Sequence, residues 1–202
     1  MRILGITGGI ATGKSTVTRL FAELGAPTTS ADALAHDLLA PGTETTQAVL
    51  KAFPSASDAA DPIGCTIDRR ALGRVIFADP NARRRLESLT HPAIIAALAA
   101  QAAAWRALPT PCAAALEIPL LFEAGLESLV DSIVVVACRE ETQIARLQAR
   151  LSIGPAEARQ QIAAQWPLAE KSANADYIIT TDDGLENTRH QVQTLWDQLS
   201  GG

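Results

Sequence analysis

The sequence predicts an α/β fold in which helices pack on a mainly parallel sheet, and three observations lead there. Short apolar runs at residues 2–7, 113–118 and 131–138 have the profile of buried strands. Segments with helical spacing alternate with those runs, as right-handed crossovers between parallel strands require. Gly and Pro stand at the junctions, and the strands are too few for a barrel.

Taken in order, residues 2–7 form the first strand and end in Thr7-Gly8-Gly9. Val17, Leu20, Phe21 and Leu24 then share one face of a helix over 13–25, which Gly25 stops. A weaker strand at 26–30 leads into a helix over 31–39, ended by Pro41-Gly42. The Pro-, Ser- and Asp-containing stretch 54–64 reads as a loop. Two helices fill 68–105, the second interrupted near His91-Pro92, because Pro disfavours helical backbone in the residue before it. Strands at 113–118 and 131–138 follow, then helices at 140–152 and 155–165 joined at Gly154-Pro155. A strand at 175–181 and a helix at 185–199 close the order.

The chain has 202 residues, 48% of them apolar, enough for a core without disulfides or a structural metal. Its net charge of -5 argues against a general nucleic-acid or membrane-surface binder. Cys65, Cys112 and Cys138 form neither a disulfide framework nor a zinc pattern. With neither a signal peptide nor an uninterrupted bilayer-length apolar run, the expectation is a soluble cytoplasmic protein. Basic residues are mostly Arg, with lysine only at 14, 51 and 171; this is compatible with a phosphate site, but overall composition is the better account of the bias as a whole.

Gly8-x-x-x-x-Gly13-Lys14-Ser15 satisfies the P-loop, or Walker A, pattern between a predicted strand and a predicted helix. Its glycines let consecutive N–H groups aim at phosphate oxygens, and the helix start adds its positive dipole end. Lys14 is expected to neutralise β/γ-phosphate charge, and Ser15 to complete a Mg2+ shell. Gly9, Ala11, Thr12, Gly13 and Thr16 complete the candidate ATP-binding set within the loop.

The loop alone leaves GTPase, motor ATPase and small-molecule kinase open. No guanine-reading N-K-x-D is present, and Asp61-Pro62-Ile63-Gly64 lies in a polar loop instead of ending a strand. Motor ATPases generally need more chain, which leaves a small kinase. Asp32, just after the second strand, is placed where a carboxylate can orient an acceptor hydroxyl and take its proton. Its bland alternative is an acidic residue favoured by a helix N-terminus.

The run from Leu4 through Thr16 resembles the opening of the dephospho-CoA kinases. So do Ser30-Ala31-Asp32 with Pro41-Gly42, Asp68-Arg69-Arg70-Ala71-Leu72 with Phe77, and Leu89-Thr90-His91-Pro92. Ile118-Pro119-Leu120-Leu121-Phe122-Glu123, Gln143-x-x-Arg146-Leu147, and Ala163-Ala164-Gln165 with Lys171 and Ala175-Asp176 complete a family-ordered set over nearly the whole chain. The resemblance implies γ-phosphoryl transfer from ATP to the ribose 3′-hydroxyl of dephospho-CoA, with Mg2+ as cofactor and Asp32 as acceptor-orienting base. It also implies a three-layer P-loop kinase fold with a parallel five-stranded sheet of order 2-3-1-4-5. The core then covers about 1–30, 106–139 and 166–202, a helical substrate-binding insertion about 31–105, and a helical lid about 140–165.

Other candidates carry two readings each. Arg146 and Arg150, on one helical face, either clamp phosphoryl charge or pair with Glu140 or Glu141. Arg69 and Arg70 suit the phosphates of the CoA moiety. His91 is expected to shape the substrate domain, with substrate contact the functional reading. Leu120 and Phe122 belong to either an apolar substrate wall or plain core. Glu117, ending an apolar strand, can support Mg2+ through water. Trp105, Trp166 and Trp196 read as packing residues, and His36 and His190 as surface or helix residues.

Four positions depart from the family pattern. Ala11 replaces a loop Gly, Ser30 the first Asp of D-A-D, Gln161 a lid Arg, and Thr180-Thr181-Asp182 a D-N-S/G near the nucleotide base. The rival readings are a nucleotide or nucleoside kinase of the same fold and a regulatory nucleotide-binding switch.

Overall fold

The computed structural model describes residues 1–58, 61 and 65–201. Part of the stretch read as a loop, and with it most of Asp61-Pro62-Ile63-Gly64, lies outside the described residues. The chain divides into two units, Met1–Ser30 with Gln101–Gly202, and Ala31–Ala100.

The first unit is an α/β layer structure around five parallel strands: β1 (Arg2–Gly8), β2 (Thr28–Ser30), β3 (Ala113–Glu117), β4 (Ser132–Ala137) and β5 (Tyr177–Thr180). Their order is β2-β3-β1-β4-β5, the order predicted. β1 is central and almost wholly buried, which explains its continuous apolar run. Register sets Ile6 opposite Glu117 and Gly8 opposite Val136, aligning the carboxyl ends of three strands. β2 ends with Ser30 opposite Glu117.

Helix α1 (Lys14–Glu23) follows β1 and buries Val17, Thr18, Leu20 and Phe21. In the second unit, α2 (Ala31–Leu38) follows β2 directly, and α3 (Glu44–Ala52) begins at Thr43, whose side chain accepts from the Thr46 N–H. α3 is an element that the spacing of apolar residues does not predict. α4 (Arg69–Ala78) is capped by Asp68, which accepts from the Arg70 and Ala71 N–H groups. Val49, Phe53, Ala56 and Leu72 form this unit's core, with Leu86 and Leu89 packed against it.

α5 (Pro80–Arg106) corrects the expected interruption at His91-Pro92: the helix runs through Pro92 without a break. Pro removes one N–H donor, but the Ala-rich residues after it are strong helix formers and carry the helix on. Thr90 Oγ1 donates to the Leu86 carbonyl at 3.0 Å, adding a local bond just before the proline.

In the first unit, α6 (Glu140–Leu151) and α7 (Pro155–Ala163) meet at a turn where Ser152 is left-handed and Gly154 caps α7. A short unpredicted helix, α8 (Leu168–Ala173), precedes β5, and α9 (Gly184–Ser200) closes the chain. Leu4, Ile6, Val17, Phe21, Val134, Val136 and Val192 lie in one core cluster that joins the sheet to α1 and α9. Among the described residues, no helix is long and apolar enough to cross a membrane.

Candidate active site

The site grows from the end of β1. Gly8 has φ +143, and a Cβ there would stand 2.2 Å from the Val136 carbonyl oxygen, so only glycine lets the loop leave the sheet at this point. The loop then closes on itself: Thr12 Oγ1 donates to the Gly9 carbonyl at 2.9 Å. Lys14 Nζ donates to the same carbonyl at 2.8 Å and lies 3.4 Å from Gly8 O. Gly13, at φ +97, caps α1 without a side-chain hydrogen bond, and the first helical turn contains no acidic residue. The positive helix end is therefore open to anions.

Ala11 is left-handed, with φ +59. The loop thus demands at this position a conformation that a residue with a Cβ adopts at a cost.

Ser15 and Glu117 are brought together from distant segments. Ser15 Oγ donates to Glu117 Oε1 at 3.0 Å, and Thr18 Oγ1 donates to Oε2 at 3.1 Å. Glu117 is only 8% exposed, and these two hydroxyls from α1 satisfy both its oxygens.

The back of the loop is clamped by residues that sequence reasoning either undervalued or missed. Arg146 donates to the carbonyls of Ala11 and Thr12, each at 3.2 Å, and to Thr181 Oγ1 and Thr181 O at 2.9 and 2.7 Å. Thr181 in turn donates to Thr12 O at 2.7 Å. Arg146 thus faces the loop, while Arg150, one turn on, is exposed. It is Arg159 that approaches Glu140, at 3.8 Å. Gln143 and Gln165 grip Ile10: Gln143 Nε2 donates to Ile10 O at 2.7 Å, and Ile10 N–H donates to Gln165 Oε1 at 2.8 Å.

A cavity of about 310 Å3 adjoins this clamp, lined by Gly13, Thr16, Arg146, Thr181, Gly184 and Leu185 among others. Asp182, next in sequence, accepts from Thr142 Oγ1 and the Arg139 N–H, and these bonds hold its carboxyl below the usual range. Burial raises the Cys138 thiol above its ordinary value despite nearby Arg146.

Beyond the loop, Leu121 is fully buried and Phe122 nearly so, whereas Leu120 is exposed. Phe122 stacks on Trp166 with ring centroids 6.0 Å apart and planes 2° apart. Trp166 therefore does pack, but against Phe122 at the surface instead of in the core. Glu123 pairs with Lys171 at 2.7 Å and accepts from the Trp166 N–H at 3.1 Å.

Within the second unit, Asp32 is exposed in the first turn of α2, two residues beyond Ser30. His36, one turn later, is exposed but accepts a 2.7 Å hydrogen bond from Arg69 NH2 on α4. Arg70 is exposed in the first turn of α4, and His91 is exposed on α5.

A family model described as dephospho-CoA kinase matches residues 2–187. A dephospho-CoA kinase of Symbiobacterium thermophilum is 44% identical over 202 residues, covering 100% of this chain and 83% of that protein. One from Geobacter metallireducens is 46% identical over 198 residues, covering 98% and 96%. The solved dephospho-CoA kinase from Campylobacter jejuni superposes with a TM-score of 0.74 at 28% identity, over 100% of this chain and 98% of that one.

Proposed function

The chain belongs to the dephospho-CoA kinase family, and from that premise we propose that it transfers the γ-phosphoryl of ATP to the ribose 3′-hydroxyl of dephospho-CoA, giving coenzyme A and ADP. The observation that carries the donor half is the junction of Ser15 and Glu117 beside an open helix end. Phosphates bound on Gly9, Ala11, Thr12, Gly13, Lys14, Ser15 and Thr16 meet backbone N–H groups, the helix dipole and the Lys14 ammonium. Lys14, held by the loop carbonyls, then follows the charge that builds on the transferring group. The nucleotide base side lies toward the cavity lined by Arg146 and Thr181.

The donor set fits Mg2+: a hydroxyl and a carboxylate, both hard oxygen ligands. Ser15 would coordinate directly and Glu117 through water. Among the described residues, no group of three or more His, Cys, Asp and Glu could hold a metal, so phosphates and waters would supply the other ligands. When bound, the ion neutralises charge on the β- and γ-phosphate oxygens.

For the acceptor, Asp32 orients the 3′-hydroxyl and accepts its proton as the new O–P bond forms, ADP leaving with the electrons of the broken bond. Arg70, His91, Leu120 and Phe122 contact the remainder of the substrate. Asn keeps the shape of Asp32 but can neither take the hydroxyl proton nor supply its negative charge, so Asp32→Asn should lower kcat severely while ATP binding persists.

The deciding assay measures ADP formation with dephospho-CoA, AMP, CMP and adenosine offered separately. Dephospho-CoA should be strongly preferred. Turnover of AMP or CMP with none of dephospho-CoA would replace this reading with a nucleotide kinase, and tight ATP binding without any acceptor would indicate a switch protein.

A further inference from the structure

The cavity beside the phosphate loop has polar walls but little left with which to read a nucleotide base. Four of its lining side chains carry polar heads, Thr16, Arg146, Thr181 and Thr188. Three of the four are spent inside the fold. Arg146 places its terminal nitrogens on the Ala11, Thr12 and Thr181 carbonyls and on the Thr181 hydroxyl. The Thr181 hydroxyl accepts from Arg146 and donates to Thr12 O at 2.7 Å, so it already acts in both roles. Thr188, only 2% exposed, donates its hydroxyl to Gly184 O at 3.0 Å.

The carbonyls around the cavity are engaged as well. Gly13 O accepts from the Thr16 and Val17 N–H groups at 3.0 and 3.1 Å, and Thr181 O holds the charged head of Arg146 at 2.7 Å. Thr12 O accepts from both Arg146 and Thr181, and Gly184 O from Thr188. Asp182, the carboxylate next to Thr181, accepts instead from the Arg139 N–H and the Thr142 hydroxyl.

Adenine is told from guanine at position 6, where an amino group donates and an oxo group accepts. Selecting the amino group takes an acceptor held open for it, and a site built that way rejects analogues by orders of magnitude. Here those carbonyls already have donors. Thr16 adds a hydroxyl, which donates or accepts as its neighbour requires and so suits either group. What the cavity does offer is surface. With its N–H groups aimed in plane at the loop, the Arg146 guanidinium keeps its faces for stacking. Leu185, 47% exposed in the first turn of α9, adds apolar contact. Stacking is indifferent to identity, because every base has a π face.

We infer that the donor site is permissive at the base: the chain takes GTP and ITP as phosphoryl donors about as readily as ATP, selecting the triphosphate and leaving the purine unread. The inference rests on the reading, proposed above, that the base lies in this cavity. The transfer itself is unaltered. The acceptor oxygen bonds to the γ-phosphorus, which loses its bond to the bridging oxygen. GDP or IDP leaves with that electron pair, and the hydroxyl proton passes to Asp32.

The test measures binding of ATP, GTP, ITP and inorganic triphosphate, each with Mg2+, by calorimetry to the unaltered protein and to Leu185→Ala. The three nucleotides should have Kd values within about tenfold of one another, with ITP separating the 6-oxo group from the 2-amino group of guanine. Leu185→Ala should raise all three by about fivefold and leave inorganic triphosphate unchanged. ATP bound more than about tenfold tighter than either GTP or ITP overturns the inference. So does a Leu185→Ala variant that binds every nucleotide like the unaltered protein, since the base would then lie elsewhere. Diphosphate formation with dephospho-CoA completes the test: similar affinities with product from ATP alone also overturn the inference. Similar affinities with no product from any of the three overturn the acceptor reading and leave the unread base standing.

Discussion

Gln143 and Gln165 hold the two polar groups of a single residue, the first donating to the Ile10 carbonyl at 2.7 Å and the second accepting from the Ile10 N–H at 2.8 Å. One comes from α6 and the other from just beyond α7, so the phosphate loop is braced by side chains from the far half of the chain. The peptide groups on either side of Ile10 are thus each pinned against rotation, and the neighbouring loop amides keep their aim. Gln165→Ala orphans the Ile10 N–H, a loss of about 1–2 kcal/mol. The expected outcome is a rise of about tenfold in KM for ATP, with Gln165→Glu close to native because it still accepts. Steady-state kinetics at saturating acceptor check this, and an unchanged KM for Gln165→Ala refutes the brace.

Ala11 supplies the second prediction. At φ +59 its Cβ crowds the following carbonyl, while a glycine would relax the fold but gain freedom in the unfolded chain. These effects oppose each other, so Ala11→Gly should leave stability within about 0.5 kcal/mol of native. Ala11→Val adds a branch where left-handed backbone tolerates it least and should cost about 2 kcal/mol. Urea denaturation of the two variants decides; equal stability of Val and Gly at this position would show that the loop relaxes.

What sequence could reveal here follows from distance along the chain. Gly8, Gly13, Lys14 and Ser15 are neighbours whose spacing is itself the signal, and the strand order follows from apolar runs placed between helical segments. Gln143, Gln165 and Thr181 act on residues more than a hundred positions away, and an amide or hydroxyl has no periodicity to betray it. Gln143 and Gln165 stood within recognisable strings, but nothing in those strings pointed at Ile10. At Pro92, local chemistry argues for a break, and the Ala-rich segment that follows it prevails. α3 sets no clear period, because within Glu44–Ala52 only Thr46 and Val49 are buried.

Glu117 is already satisfied by Ser15 and Thr18, so Glu117→Gln should fold with near-native stability, retaining one acceptor and gaining a donor. Its effect should fall on the cation. Outer-shell partners typically account for tenfold or more in metal affinity, so half-saturating Mg2+ should rise by about tenfold. Activity titrated against Mg2+ at fixed ATP measures this, with melting in the absence of Mg2+ as the control. A Mg2+ requirement identical to native would remove Glu117 from the site.

Lys171 is completely buried, and its ammonium lies 2.7 Å from Glu123 Oε1, while Glu123 Oε2 is buried without a hydrogen-bond partner among the described residues. Burial alone would raise the Glu123 carboxyl; Lys171 and the backbone N–H groups of Glu123 and Trp166 outweigh it and hold the carboxyl below its ordinary 4.5. A depressed carboxyl contributes stability that is complete above its unfolded value and lost as pH falls through the lower folded value. Lys171→Met strands the charge and should cost about 3 kcal/mol at neutral pH, whereas Glu123→Gln with Lys171→Met should recover most of that loss. The gap between native and Lys171→Met should begin to narrow above the ordinary carboxyl value, where the buried, stranded carboxylate already takes up a proton, and narrow further below that value as the native protein loses the contribution of its depressed carboxyl. Since Glu123 also fixes the N–H of Trp166, immediately after Gln165, the single variant should loosen the grip on Ile10 and raise KM for ATP. Thermal melts across pH, paired with ATP kinetics, test both consequences; a stable Lys171→Met variant with native KM would mean that the pair neither stabilises the fold nor braces the loop.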